Sequence, residues 1–393
     1  MPRNVWILSG IALGVAVGYG VVNPVLPMFA TSFGVNEFAA AAVISAFAAM
    51  RLLFAPAVSS LTSRLGHRAV LLSGILLVAA SSVGVGFAAS YPQLIALRAA
   101  GGVGSAMFSV SAMTVLLASV DAGRRGRASA LFQGGFLVGA VTGPAIGGLF
   151  AQISLRAPFF FYAATLAVAA AVALGLQAAP GLVAGPGRRQ ASGADAPRPF
   201  GAVLRDRRYQ AALLASLAQG WNTHGARSAL IPLFVAAYLV SDAAQAAWWA
   251  GIAMSVAAAV QMAAIWPAGW VVDKHGRRLP MVAGAALAAA AMAAMPVSRS
   301  LAALTAILAA YALGAAVTGT APSAAVGDAA GPGGTQAIAV FSRAGDAGAV
   351  VGPLVAGFLA ARFSYTAAFA SGAALWAVSA AVSARPWRQP RPN

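Results

Sequence analysis

The chain has 393 residues, of which 60% are apolar and only 8% charged, with a formal net charge of +17 and no cysteine. A soluble domain carries about a quarter of its residues as charges, so a water-soluble globule is excluded. Disulfides and thiolate metal sites are excluded with it. A bilayer is the solvent that fits. Twelve stretches reach the length of about 20 mostly apolar residues that a spanning helix needs. Their apolar runs are continuous rather than alternating, which points to helices and not to a closed barrel. The fold class predicted is an all-α polytopic membrane protein.

In chain order the predicted spans are 5–29, 38–62, 69–89, 93–118, 128–152, 157–178, 209–238, 246–271, 279–297, 301–325, 336–361 and 365–384. The first follows MPRN and is too long for a signal peptide, so it counts as a span. Residues 179–208 are rich in Pro, Gly and Arg with little helical periodicity and read as a solvated linker. The chain thus divides into bundles 1–178 and 209–393, the second ending in a short tail. With the N-terminus inside, the even-numbered loops, linker and tails hold eighteen Lys and Arg, against three in the outer loops (Arg156, Arg299 and Arg362). This asymmetry is the positive-inside signature. It places both termini in the cytoplasm of a cell (inner) membrane and makes the net charge a topology signal; nucleic acid is not an expected partner.

The halves repeat. Gly66 and Gly276 are 210 residues apart, Pro144 and Pro353 are 209 apart, and Pro27 and Pro232 are 205 apart. Parallel repeats related by an axis along the membrane normal are one of the transporter architectures.

The loop after span 8 is GWVVDKHGRR, with Gly269, Asp273, Lys274, Gly276, Arg277 and Arg278. The loop after span 2, SSLTSRLGHR, keeps only Arg64, Gly66 and Arg68 of that pattern. Span 5 carries Gly139, Gly143, Pro144, Gly147 and Gly148 in GAVTGPAIGG, and span 11 echoes it with Gly352 and Pro353. Span 4 has Arg98, Gly102 and Gly104; span 2 has Arg51 and Pro56, with Gln261 at the position of Arg51 in the second half. On these motifs the sequence resembles the major facilitator superfamily, and within it the twelve-span drug and small-molecule efflux antiporters, over essentially the whole chain. The resemblance implies two pseudo-symmetric six-helix bundles, alternating access, a small-molecule substrate and proton coupling. It also implies a cavity lined by spans 1, 4, 7 and 10, and a cytoplasmic latch in which Asp273 faces the start of span 5. Arg277 and Arg278 would then stay in the interface with lipid phosphates; the alternative for the charged loop is a plain topology anchor. Glycines four apart let helices approach closely, and Gly-Pro permits a bend, so span 5 reads as a hinge or as ordinary packing.

Ionisable groups inside spans cost about 2.5–3.5 kcal/mol on insertion scales and are few here. Arg343 and Asp346, three apart on span 11, share a face and can neutralise one another; the pair reads either as a permanent structural ion pair or, with Asp346 as the first proton-carrier candidate, as a coupling group. Arg98 reads as a coupling group or as a side chain snorkelling outward. His224 titrates near neutral pH when unperturbed and is the second proton candidate. Asn23, Gln219, Trp221, Asn222, His224, Arg227 and Tyr311 are the polar or aromatic cavity candidates, with Phe29, Met107 and Phe108 as apolar wall. That mixture suits an amphiphilic organic compound. No catalytic constellation, phosphate-binding glycine loop or metal cluster stands in the sequence, so neither an enzyme nor a cofactor is expected; a monomer is. A proton-coupled importer, a facilitative carrier and a transport-inactive sensor on the same fold stay open as alternatives. The sequence has Asn23 and no acid in span 1, which keeps the sensor open.

Overall fold

The computed structural model describes residues 1–176, 200–331 and 334–387; most of the expected linker, 177–199, lies outside them. The described chain is all helical. Its helices are α1 (Arg3–Val22), α2 (Leu26–Thr31), α3 (Glu37–Leu65), α4 (His67–Phe87), α5 (Tyr91–Ala118), α6 (Arg125–Ile153), α7 (Ala157–Ala173), α8 (Phe200–Arg205), α9 (Arg207–Gly220), α10 (Ile231–Tyr238), α11 (Ala243–His275), α12 (Arg278–Ala294), α13 (Leu301–Ala330), α14 (Thr335–Arg362) and α15 (Tyr365–Ala384). Ten of them are long and apolar enough to cross a membrane, and α7 is a shorter apolar helix. The chain is a multi-pass membrane protein.

Eleven of the twelve predicted spans coincide with a helix or, for span 1, a pair of helices. Span 1 breaks at residues 23–25, where Pro24 has no N–H to continue α1 and Pro27 opens α2. Span 7 is the exception to a simple α-helix: α9 runs into a π-helix, Trp221–Leu230, before α10. A π-helical segment is a rare form that marks functional sites. The end of the expected linker also differs, because residues 200–205 form α8 rather than an extended strand of loop. Helix starts follow local chemistry. Asn36, Asp206, Ser300 and Ser364 each accept a hydrogen bond from a first-turn amide, and Gly66 and Gly276 take the positive φ that the tight turns after α3 and α11 require.

The chain forms two compact units. In the first, α1 packs on α6 and α7, and α5 packs on α3 and α4. Residues 228–255, covering α10 and the start of α11, also cluster with it, with α10 against α2. In the second unit, α12 packs on α13 and α15, and α9 packs on α13, α14 and α15.

Candidate functional site

Small residues set the closest helix contacts. On α6 a Cβ built at Gly143 would lie 2.6 Å from Gly20 Cα, one at Gly139 would lie 2.5 Å from Ala16, and Gly147 faces Val21. Three of the four motif glycines thus serve the α1 interface. In the second unit Gly352 faces Trp221, Gly348 faces Leu217 and Gly225 faces Gly352 and Pro353. Gly225 stands 205 residues after Gly20, the spacing of Pro27 and Pro232, so the repeat is a repeat of packing as well as of letters.

Gly148 serves a different neighbour. A Cβ there would sit 2.6 Å from Trp248 Cα, and one at Gly251 would run into the Pro144 carbonyl. Beside them the Ala145 N–H donates to Ser255 Oγ at 2.9 Å. Pro144 lies inside an unbroken α6 and breaks its backbone ladder locally; Ser255 satisfies the next amide from α11. A span of one sequence half is thereby stitched to a span of the other at the Gly-Pro motif. Gly20, Gly251 and Ser255 were not legible as its partners, since nothing in a lone Gly or Ser of an apolar helix says which helix it meets.

The charged loop is organised by side chains that point back to their own unit. Arg277 Nε donates to Asp328 Oδ2 at 3.0 Å and its Nη1 lies 3.8 Å from Asp273 Oδ1. Asp273 itself is 81% exposed, and Lys274 lies over the Trp270 ring at 4.7 Å. Arg278 donates to the Ala384 carbonyl that ends α15. Both arginines are engaged by the protein, Arg277 by a carboxylate and Arg278 by a helix end. Arg68 does the same for Leu174, just past α7, while Arg64 and Gly66 are exposed.

Intramembrane groups fall in three places. Arg98 is 4% exposed, its guanidinium 4.5 Å from the centre of the Phe47 ring, with Tyr19 and Tyr162 as electrostatic neighbours. It does not snorkel. The acids of the first unit's described residues, Glu37, Asp121 and Asp242, all stand at helix ends or in loops. Met107, expected on a cavity wall, is packed instead with Val58, Val70 and Ala106, and Phe108 is buried as well. Phe29 packs on Phe159 at 5.1 Å, and Asn23 ends α1 half-buried.

In the second unit the polar residues of span 7 gather around the π-helix. Asn222, wholly buried, donates through Nδ2 to the carbonyls of Ala218 and Gly372 at 2.9 and 3.4 Å. Gln219 reaches Thr223 at 3.3 Å, and His224 Nδ1 lies 3.3 Å from the Gly220 carbonyl. Tyr311 is wholly buried with Trp376, Thr223 and Arg227 as its polar neighbours. Among the described residues the indole N–H of Trp221, Gln219 Oε1 and Asn222 Oδ1 are buried without a hydrogen-bond partner. Such groups are costly to leave unsatisfied, and their concentration here makes this the most polar interior of the unit. On span 11 Arg343 is exposed and Asp346 half-buried.

Comparison with known proteins gives this geometry a context. The Major Facilitator Superfamily model matches residues 8–238 and again 212–393. The quinolone resistance protein NorA of Staphylococcus aureus is 27% identical over 169 residues, 42% of each chain. The multidrug efflux protein YfmO of Bacillus subtilis is 27% identical over 171 residues, 43% of this chain and 42% of that one. These alignments therefore span less than half the length of those relatives. A bacterial homologue of the human lysosomal transporter Spinster, in an inward-facing and occupied conformation, superposes with a TM-score of 0.79 at 14% identity, covering 96% of this chain and 95% of that one. The nucleoside transporter NupG gives 0.76 at 13% identity, covering 97% and 99%; at such identities the likeness is one of fold. With the family model matched from end to end and a helical architecture that its solved members share, the chain belongs to the Major Facilitator Superfamily.

Proposed function

We propose that this protein is a secondary active transporter that works by alternating access and exports a small amphiphilic compound in exchange for protons. Two six-span bundles, residues 1–178 and 209–393 joined by 179–208, provide the moving parts, and the termini lie in the cytoplasm of the cell membrane. The observation that carries the reading is the stitch between α6 and α11 at the Gly-Pro motif. There Gly148 faces Trp248, Gly251 faces Pro144, and Ser255 takes the Ala145 amide. A contact with no side-chain filler can close and part without leaving a bulky group unpacked. Similarity to NorA and YfmO supports export, and the polar interior around Tyr311 and Asn222, set in an otherwise apolar chain, supports an amphiphilic substrate. The protein works as a monomer.

Asp346 remains the proton-carrier candidate, because it is the carboxylate furthest inside a span: roughly 16 Å from the start of α14 at 1.5 Å per residue. The test is flux in inverted vesicles under an imposed pH gradient. Asp346→Asn is expected to abolish gradient-driven transport while sparing substrate exchange. Flux in the opposite direction identifies an importer, gradient-independent flux a facilitative carrier, and absence of flux for a broad compound panel a sensor.

A further inference from the structure

One cavity lies at the ends of the helices of the second unit. It has a volume of about 430 Å³ and is lined by Arg208, His275, Gly276, Arg277, Arg278, Ala325, Asp328 and Trp387. Three guanidinium groups face one carboxylate in the lining, a formal charge of +2 before His275 is counted, or +1 with Asp273, whose Oδ1 lies 3.8 Å from Arg277 Nη1. Beneath the charged rim lies an apolar floor, since Trp387 packs against the cluster of Tyr209, Val272, Met281 and Ala325. Among the described residues the buried indole N–H of Trp387 has no acceptor. The arrangement is held in place from several sides. Arg277 is fixed on Asp328 at 3.0 Å, Arg278 holds the Ala384 carbonyl, and Arg207 donates to the Pro386 carbonyl at 3.4 Å, so the tail residues form one wall. Gly276, with φ near +75°, brings His275 and Arg277 onto the same rim.

We propose that this cavity is a binding site for a phosphate-bearing anion. Guanidinium forks match phosphate oxygens in geometry and charge, and the excess positive charge is gathered in one concave place rather than spread along the loops. An apolar floor beneath it suits a phosphate attached to something less polar, whether the phosphate belongs to a lipid headgroup or to a soluble ester. Occupation would tie the ends of α11, α12, α13 and α15 together through one ligand. The site does not depend on the direction or coupling of transport.

The purified full chain tests this by thermal unfolding at matched ionic strength. In one arm the protein in detergent is titrated with inorganic pyrophosphate. In the other it is reconstituted in phosphatidylcholine nanodiscs with and without phosphatidylglycerol. A rise of several degrees in the unfolding midpoint is expected. If it appears with phosphatidylglycerol alone, the source is a lipid headgroup; if with pyrophosphate, a soluble phosphate. Arg208→Gln and Arg278→Gln are each expected to raise the half-saturating concentration at least tenfold. Arg299→Gln, in the loop at the other end of α12, is expected to leave it unchanged. Arg208→Gln keeps the test sound if Arg278→Gln folds poorly. No rise in either arm, or a rise that Arg208→Gln leaves intact, overturns the proposal.

Discussion

Arg278 donates to the backbone carbonyl of Ala384, and 210 residues earlier Arg68 donates to Leu174, itself 210 residues before Ala384. The last arginine of each charged loop therefore closes the sixth helix of its own half. A helix end leaves carbonyls without partners, and a cation there meets the negative end of the helix dipole. The worn first loop keeps this job although it has lost the aspartate and one basic residue of the second.

Removing that staple should cost stability more than function. Arg68→Gln is expected to lower stability by about 1 kcal/mol, the size of a charged hydrogen bond discounted for exposure. Arg68→Lys should recover part of it. The thermal unfolding midpoint of the purified protein reads both; equal midpoints for wild type and Arg68→Gln would contradict the assignment.

Gly148→Val places a branched side chain where a Cβ would already lie 2.6 Å from the Trp248 backbone. Overpacking of this kind costs about 1–3 kcal/mol, and here it falls on the α6–α11 stitch. Flux is expected to drop at least tenfold while the protein still inserts. Gly134, which has nothing within 4 Å of a built Cβ, is the matched control, and Gly134→Val should transport normally. Equal flux in the two variants would remove the stitch from the mechanism.

Arg98→Met separates use from stability. An apolar side chain of similar length removes the desolvation cost of a buried charge and keeps the Phe47 ring face covered. The variant is expected to unfold at the wild-type temperature or above and to transport at least tenfold less. A midpoint that falls together with flux would make Arg98 a packing element.

Much of the architecture was legible in the letters. Apolar length gave the spans, and the spacing of Gly66 and Gly276 or of Pro144 and Pro353 announced the repeat, because lipid leaves a chain few alternatives to regular helices. The π-helix at Trp221–Leu230 was not legible: an apolar segment with Asn222, His224 and Arg227 has no signature that separates i+5 from i+4 bonding. Side-chain partners were harder still. Arg277 has Asp273 four residues away in sequence at 3.8 Å and Asp328 fifty-one residues away at 3.0 Å, and only the packing of α12 on α13 makes the distant acid the nearer one. Met107 was misplaced for a similar reason. In an apolar helix without strong amphipathic contrast, a residue facing a cavity and one facing a neighbouring helix look alike.

Under the proposed alternating access, spans 5 and 8 must part and rejoin for solute to cross. Cysteines at Ala145 and Ser255, introduced into a chain that has none of its own, stand on the two spans at the point where the Ala145 N–H donates to the Ser255 hydroxyl. Solute flux in proteoliposomes is then measured before oxidation, after it, and after reduction. At least a tenfold loss on oxidation, restored by reductant, is the predicted result; full flux through the crosslinked protein would contradict it.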